Sequence, residues 1–281
     1  AAAVDLELTP EPETVTAGDA VTYALTAVDA FGNTWNVTGD GTYGIDPLAG
    51  GGFAANVYTS EFAGTWDVMG TYLTFTDTAV LTVEHASAVE ADLQPDPETV
   101  TAGDSVTYTL TATDTFGNAW DATAEGAYDI EDGAGGAFAA NVYTAQYAGT
   151  WTVTGTVDSA MDTAVLTVEH AAAVAIDVQP DPETVIAGDS VTYDLTAGDG
   201  FGNTWDVTAD GTYDIEAGAE GSFTDNVYTS AKAGAWTVTG TYLTLTDTAV
   251  LTVLADCENT ISFDIEPKTA TVMAGYPLTY T

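Results

Sequence analysis

The chain has 281 residues, with 43 Asp and Glu against two Lys or Arg, and a formal net charge of -41. Lys232 and Lys268 are the only Lys or Arg side chains, so binding to nucleic acid through phosphate neutralisation is excluded, and anionic lipid would repel the chain. Hydrophobic residues make up 46% and aromatic residues 10%, enough to build packed cores, which excludes a disordered polyelectrolyte.

A single cysteine, Cys257, allows no intrachain disulfide and no zinc cluster. No run is long and apolar enough for a membrane-spanning helix. The first residues carry neither a Met nor a signal-peptide pattern, as in a processed protein or an excerpt of a longer one.

Internal repetition dominates. Ala17-Gly18-Asp19 recurs at Ala102-Gly103-Asp104 and Ala187-Gly188-Asp189; Trp35 recurs at Trp120 and Trp205, and Trp66 at Trp151 and Trp236, each 85 residues on. The expected organisation is repeat one at 1–85, repeat two at 86–170 and repeat three at 171–255. Residues 256–281 would be a linker and the first strands of an incomplete fourth repeat. A unit of 85 residues is the size of a small domain with its own core, so the repeats are expected to be strung like beads.

In the first repeat, Asp29-Ala30-Phe31-Gly32-Asn33 opens a motif that returns at Asp114 to Asn118 and Asp199 to Asn203. One reading is a turn: Asp caps backbone N–H groups, Gly supplies a positive φ and Asn tolerates it. The other is a calcium site on the Asp and Asn oxygens; the spacing lacks the dense carboxylates of a calcium loop, which favours the turn. Asn36-Val37-Thr38 is an N-glycosylation acceptor sequence in the first repeat, replaced by Asp121-Ala122-Thr123 and Asp206-Val207-Thr208 in the others.

At the end of that repeat the junction gathers acids. Glu84-His85 is followed by Glu90 and Asp92, and Glu169-His170 by Asp177. A joint bringing these oxygens together could hold a structural Ca²⁺, the one cofactor the sequence points to. The alternative is a stiff, solvated Pro-containing lead-in, Pro95-Asp96-Pro97-Glu98 and Pro180-Asp181-Pro182-Glu183, to the first strand.

The second repeat shows the strand pattern most clearly. From Ser105 to Thr113, Val106, Tyr108, Leu110 and Ala112 face one way and the threonines the other. Thr150 to Val157 and Thr163 to Val168 alternate in the same way, and shorter strands are expected around Tyr128, Phe138 and Val142-Tyr143. Turn signals at Phe116-Gly117-Asn118 and Gly133-Ala134-Gly135-Gly136 separate them. No window carries a helical stripe, so the expected fold is all-β: tandem immunoglobulin-like antiparallel β-sandwich domains. Trp35, Trp66, Trp120, Trp151, Trp205 and Trp236 are the expected core anchors.

The order Val100-Thr101-Ala102-Gly103-Asp104-Ser105-Val106-Thr107-Tyr108, then Asp114 to Asn118, Ala148-Gly149-Thr150-Trp151-Thr152-Val153 and Ala164-Val165-Leu166-Thr167-Val168 resembles the bacterial immunoglobulin-like domains of invasin and intimin type. The resemblance covers three repeats and the start of a fourth. It implies a spacer on a prokaryotic cell surface, with other copies of the chain or other surface-structure subunits as partners; the receptor-binding tip domains of that family have no counterpart here.

Catalysis is not expected. His85 and His170 lie a whole repeat apart, and no nucleophile–base arrangement or phosphate-cradling loop appears. Internal Lys–Asn cross-links are excluded from the first two repeats, which contain no Lys; Lys232 leaves them open only in the third. The preferred reading is a non-enzymatic extracellular stalk, filament or layer protein. Two alternatives stand beside it: an adhesin recognising glycans or a host surface, and a filament subunit polymerising by strand exchange through the incomplete fourth repeat.

Overall fold

A computed structural model describes residues 1–256 and, beyond them, Thr269, Thr271, Ala274, Pro277 and Thr279. The expected fourth-repeat strands, Cys257 and Lys268 lie outside the described residues. The chain divides into two compact units, Ala1–Glu169, which holds the first two repeats, and His170–Thr281.

Ten strands build the first repeat: β1 (Ala3–Thr9), β2 (Glu13–Thr16), β3 (Ala20–Thr22), β4 (Ala24–Asp29), β5 (Thr34–Asn36), β6 (Thr42–Ile45), β7 (Gly52–Ala54), β8 (Val57–Thr59), β9 (Gly64–Tyr72) and β10 (Phe75–Glu84). One layer is the sheet β2-β10-β9-β6; the rest pair as β1-β4-β5 and β3-β8-β7. The same ten strands follow between 88 and 169 and between 175 and 254, in the same three pairings. This is a tandem immunoglobulin-like β-sandwich fold, with no α-helix among the described residues.

Alternation places the core. In β4, Leu25, Ala27 and Asp29 point inward; in β10, Ala79, Leu81 and Val83 do, with Thr26 and Val28, and Val80 and Thr82, in the positions between. Each fully buried Leu or Val contributes about 1.5–3 kcal/mol. The run read from Ser105 to Thr113 keeps its alternation but is two strands, Ser105–Thr107 and Thr109–Asp114. They meet at Tyr108, where the run passes from one set of partners to another. Asn141 bridges that step: its backbone oxygen accepts from Tyr108 N at 2.9 Å and its side chain donates to Tyr108 O at 2.7 Å.

The first strand is also divided. β1 runs antiparallel to β4, and beyond Pro10 and Pro12, which have no N–H to offer a ladder, β2 lies parallel to β10. Each repeat therefore departs from a purely antiparallel sandwich by one parallel pair. The Pro-rich segment is a crossing between layers rather than a lead-in to the first strand.

The large, fully buried side chains are tyrosines. Tyr23 and Tyr58, Tyr108 and Tyr143, Tyr193 and Tyr228 are all 0% exposed. Phe53 lies between the first pair, at ring-centroid distances of 6.1 and 5.1 Å, and Phe138 and Phe223 repeat the arrangement. The Tyr58 hydroxyl donates to Gly50 O at 2.9 Å. Gly51 beside it has φ +62, and a Cβ there would lie 2.0 Å from Thr59 O, so only glycine fits. The hydroxyls of Tyr23, Tyr108 and Tyr193 are buried without a hydrogen-bond partner, and burial pushes their pKa up to about 12.

All six tryptophans are half-buried and flank the core instead of filling it. They form two groups. Trp66, Trp151 and Trp236 donate from Nε1 to Phe62 O, Tyr147 O and Lys232 O at 2.9–3.0 Å, clamping the loop before their strand. Trp35, Trp120 and Trp205 lie just after the Asp-x-Phe-Gly-Asn turns.

Acids serve as acceptors for backbone amides, because the described chain has almost no cations to pair with them. Asp77, Asp162 and Asp247 reach over to Leu8 N, Leu93 N and Val178 N at 2.7, 2.8 and 2.9 Å, capping amides of the strand before each Pro-rich crossing. Asp96 and Asp181 do the same for Val165 N and Val250 N. Among the described residues one ion pair forms, Lys232 with Glu220 at 3.2 Å, both exposed.

Candidate functional site: the joint between repeats

Only His85, Ala86 and Ser87 separate β10 from the next strand, Ala88–Gln94. So short a connection brings the end of one repeat against the Asp114–Asn118 turn of the next. Within that turn, Asp114 Oδ1 accepts from Phe116 N at 2.8 Å and Asn118 N at 2.9 Å, and Oδ2 accepts from Asn118 Nδ2 at 2.8 Å. That is an Asx-type turn, as the sequence pattern implies.

The same residues then hold the neighbouring repeat. Asp114 Oδ2 also accepts from the linker amide of Ala86 at 2.8 Å. Asn118 Oδ1 accepts from Ala63 N at 2.7 Å and Asn118 Nδ2 donates to Glu61 O at 3.0 Å, both in the first repeat. Phe116 packs against the first repeat's core cluster and covers Gly18, where an added Cβ would lie 2.7 Å from the ring. The His85 imidazole stacks on Trp120, with centroids 3.5 Å apart and planes 9° from parallel.

Asp114 and Asn118 are almost fully buried here, at 3% and 9% exposure. Burial is the largest influence on the Asp114 carboxyl and works to raise its pKa. Hydrogen bonds from the Asn118 side chain and from the Ala86, Asn118 and Phe116 amides together outweigh it and hold the pKa below the ordinary Asp value. The joint is thus closed by a charged acceptor neutralised by N–H donors.

The second compact unit repeats the linker contacts within itself. Ala171 N donates to Asp199 Oδ2 at 2.9 Å, and His170 stacks on Trp205 at 3.6 Å and 6°. Burial again opposes the hydrogen bonds from Asn203, Ala171 and Phe201, which prevail and lower the Asp199 pKa to about 2.

Of the acids expected to gather calcium, Glu84, Glu90 and Asp92 in the first compact unit do not come together as a cluster of metal ligands. Glu84, Glu90, Asp92, Glu169 and Asp177 are exposed, and Asp92 and Asp177 each accept from a nearby glutamine, Gln94 and Gln179. Among the described residues no three His, Cys, Asp or Glu side chains form a group able to hold a metal ion. Asn36 is exposed at the end of β5, and its Oδ1 accepts from Thr38 N at 2.8 Å. Lys232 is in an exposed loop, paired with Glu220.

Each repeat also has an open cleft, lined in the first by Thr38, Tyr43 and Asn56. Its polar groups are internally engaged: Tyr43 donates to Thr38 O and Asn56 to Tyr23 O. The joint's interrepeat contacts escaped the sequence reading, which saw the turn but not its second set of partners. The available signal was the coincidence, at one spacing, of a Phe inside a polar turn and a His after each of the first two repeats.

Fold and joint together define a tandem of immunoglobulin-like repeats in which the Asp114–Asn118 turn clasps the first repeat to the second. No protein-family model and no curated protein sequence matches it. Among solved structures it is similar to domains 1–6 of the surface layer protein SbsC, at 18% identity and a TM-score of 0.29 over 91% of this chain. It is also similar to the titin I-band fragment I67–I69, at 9% identity and a TM-score of 0.39, covering 90% of this chain and 99% of that one. Sidekick-1 immunoglobulin domains 1–5 match at 10% identity and a TM-score of 0.34, over 91% of this chain and 60% of that one. The chain spans 40% and 48% of the two SbsC fragments it matches. Likeness at these identities and TM-scores carries no argument about this chain.

Proposed function

We propose that this chain is a non-enzymatic spacer in an extracellular structure of a prokaryotic cell surface, a stalk, filament or layer, whose partners are other copies or other subunits of that structure. The observation that carries the reading is the joint. A three-residue connection is locked by Asp114, Phe116 and Asn118, a use of buried polar groups that serves a fixed connection between repeats. The resemblance to invasin- and intimin-type domains supports the same reading. The acidic surface fits an environment where salt or divalent cations screen it, and it keeps near-identical repeats from pairing wrongly.

Immunogold labelling of intact cells of the source organism with an antibody against the three repeats tests this. Label outside the envelope of unpermeabilised cells is expected. Label that appears only after permeabilisation would overturn the extracellular assignment.

A further inference from the structure

The first repeat carries the same turn and the same aromatic face as the second, with no other repeat against them among the described residues. Phe31 is 84% exposed, whereas its counterpart Phe116 is covered by the preceding repeat. Asn33 turns its side-chain amide back onto both oxygens of Asp29, at 3.1 and 3.0 Å, and makes no contact corresponding to those of Asn118 with Ala63 and Glu61. Trp35 has no histidine stacked on it, while Trp120 and Trp205 each have one.

We propose that the face formed by Phe31, Asn33 and Trp35 is a docking surface for the far pole of another repeat of this type. The occupied joint states what that partner must offer. A glycine of positive φ must sit under the phenylalanine, as Gly18 does with φ +95, because any Cβ would meet the ring. An N–H and a carbonyl two residues apart must face the asparagine, as Ala63 and Glu61 do; these are backbone groups, so side chains at those positions are free to vary, as Glu61 and Gln146 do. The last strand must lead into a histidine that lies flat on the tryptophan.

The third condition makes the surface selective. The first two repeats end in Glu84-His85-Ala86 and Glu169-His170-Ala171, whereas the third ends in Leu254-Ala255-Asp256. A pole like that of the first or second repeat therefore fits the face, and one like the third lacks the stacking ring. Phe31 is aromatic and solvent-facing in a polar turn, where nothing within its own repeat requires an aromatic residue. The inference goes beyond the spacer reading and does not depend on where the protein is located.

The test adds a copy of residues 1–85 ahead of Ala1, so that His85 leads into Ala1 as it otherwise leads into Ala86. Amide exchange is then read by NMR on segmentally labelled protein at two Ala63 amides: that of the added copy, which would face Asn33, and that of the original, which faces Asn118. Equal protection of the two, within about threefold, is expected. Asn33→Ala in the original copy should speed exchange of the added Ala63 by about tenfold or more and leave the original Ala63 unchanged. The proposal is overturned if the added Ala63 exchanges at least about tenfold faster than the original in the unmutated fusion. It is equally overturned if Asn33→Ala has no effect on it. Changing the added copy's His85→Ala, which imitates the third repeat's end, should reduce the protection; unchanged protection would overturn the selectivity.

Discussion

Asp29–Asn33 and Asp114–Asn118 are the same five-residue turn in two settings. In both, the Asp carboxylate accepts the amides of the Phe and the Asn and the Asn side chain. The first therefore folds as a turn with no help from a neighbour. The second does the same and also binds Ala63, Glu61, Ala86 and Gly18. The difference shows that the turn is not organised by the joint; it is preformed, and docking adds contacts without remaking it. Preformed donors and acceptors lose little conformational freedom on docking, which favours a joint of fixed geometry.

The comparison can be broken at several levels. The largest effects should fall on the cores and ignore the joint. Tyr143→Ala removes a fully buried ring and should cost about 3–5 kcal/mol, read by urea denaturation; Trp151→Ala, half-buried, should cost less. The reverse order would restore the tryptophans as anchors.

Acid and alkali should separate core from joint. The raised tyrosine pKa values mean that their stabilisation is complete below the ordinary value near 10 and is lost as pH rises through about 12, so all three cores weaken in alkali. The joint carboxylates are depressed, so their contribution is present above the ordinary Asp value near 3.9 and is lost as pH falls through the folded value, about 2 for Asp199. Carboxyl and tyrosine titrations by NMR check both windows.

Asn118→Ala should cost about 1–3 kcal/mol more than Asn33→Ala, since only the former strips buried partners from Ala63 and Glu61. Phe31→Ala should lie within about 0.5 kcal/mol of the parent, while Phe116→Ala should not. Equal costs for the two asparagines, measured by urea denaturation, would mean that the docked contacts add nothing.

The smallest expected effect is that of chelation. Asp114 already accepts from N–H donors in the joint, so EDTA should leave the melting temperature unchanged. A fall would return calcium to the junction acids.

Much of the fold was legible because the threonine-rich strands alternate so strictly: Val106, Tyr108, Leu110 and Ala112 are all buried, as read. The crossing at Pro10–Pro12 was not, because β1 offers only Leu6 and Leu8 as inward residues and a bulge breaks its register between Ala3 and Asp5. Nor was the division between tyrosines and tryptophans. Composition favours the larger ring as an anchor, but Tyr58 can donate its hydroxyl to a loop carbonyl inside the core, whereas the Trp66 indole finds its carbonyl at the core's edge. The joint was half legible. The turn is encoded locally, but its contacts with Glu61 and Ala63 lie 55 and more residues away and use backbone groups, which leave no side-chain pattern to read.

The central claim is that the Asp114–Asn118 turn fixes the first repeat to the second. Backbone ¹⁵N relaxation of the full chain tests it most directly. Residues 3–84 and 88–169 should report one common rotational correlation time, and the double change Phe116→Ala, Asn118→Ala should split it into two. Two independent correlation times in the unmutated chain would contradict the account.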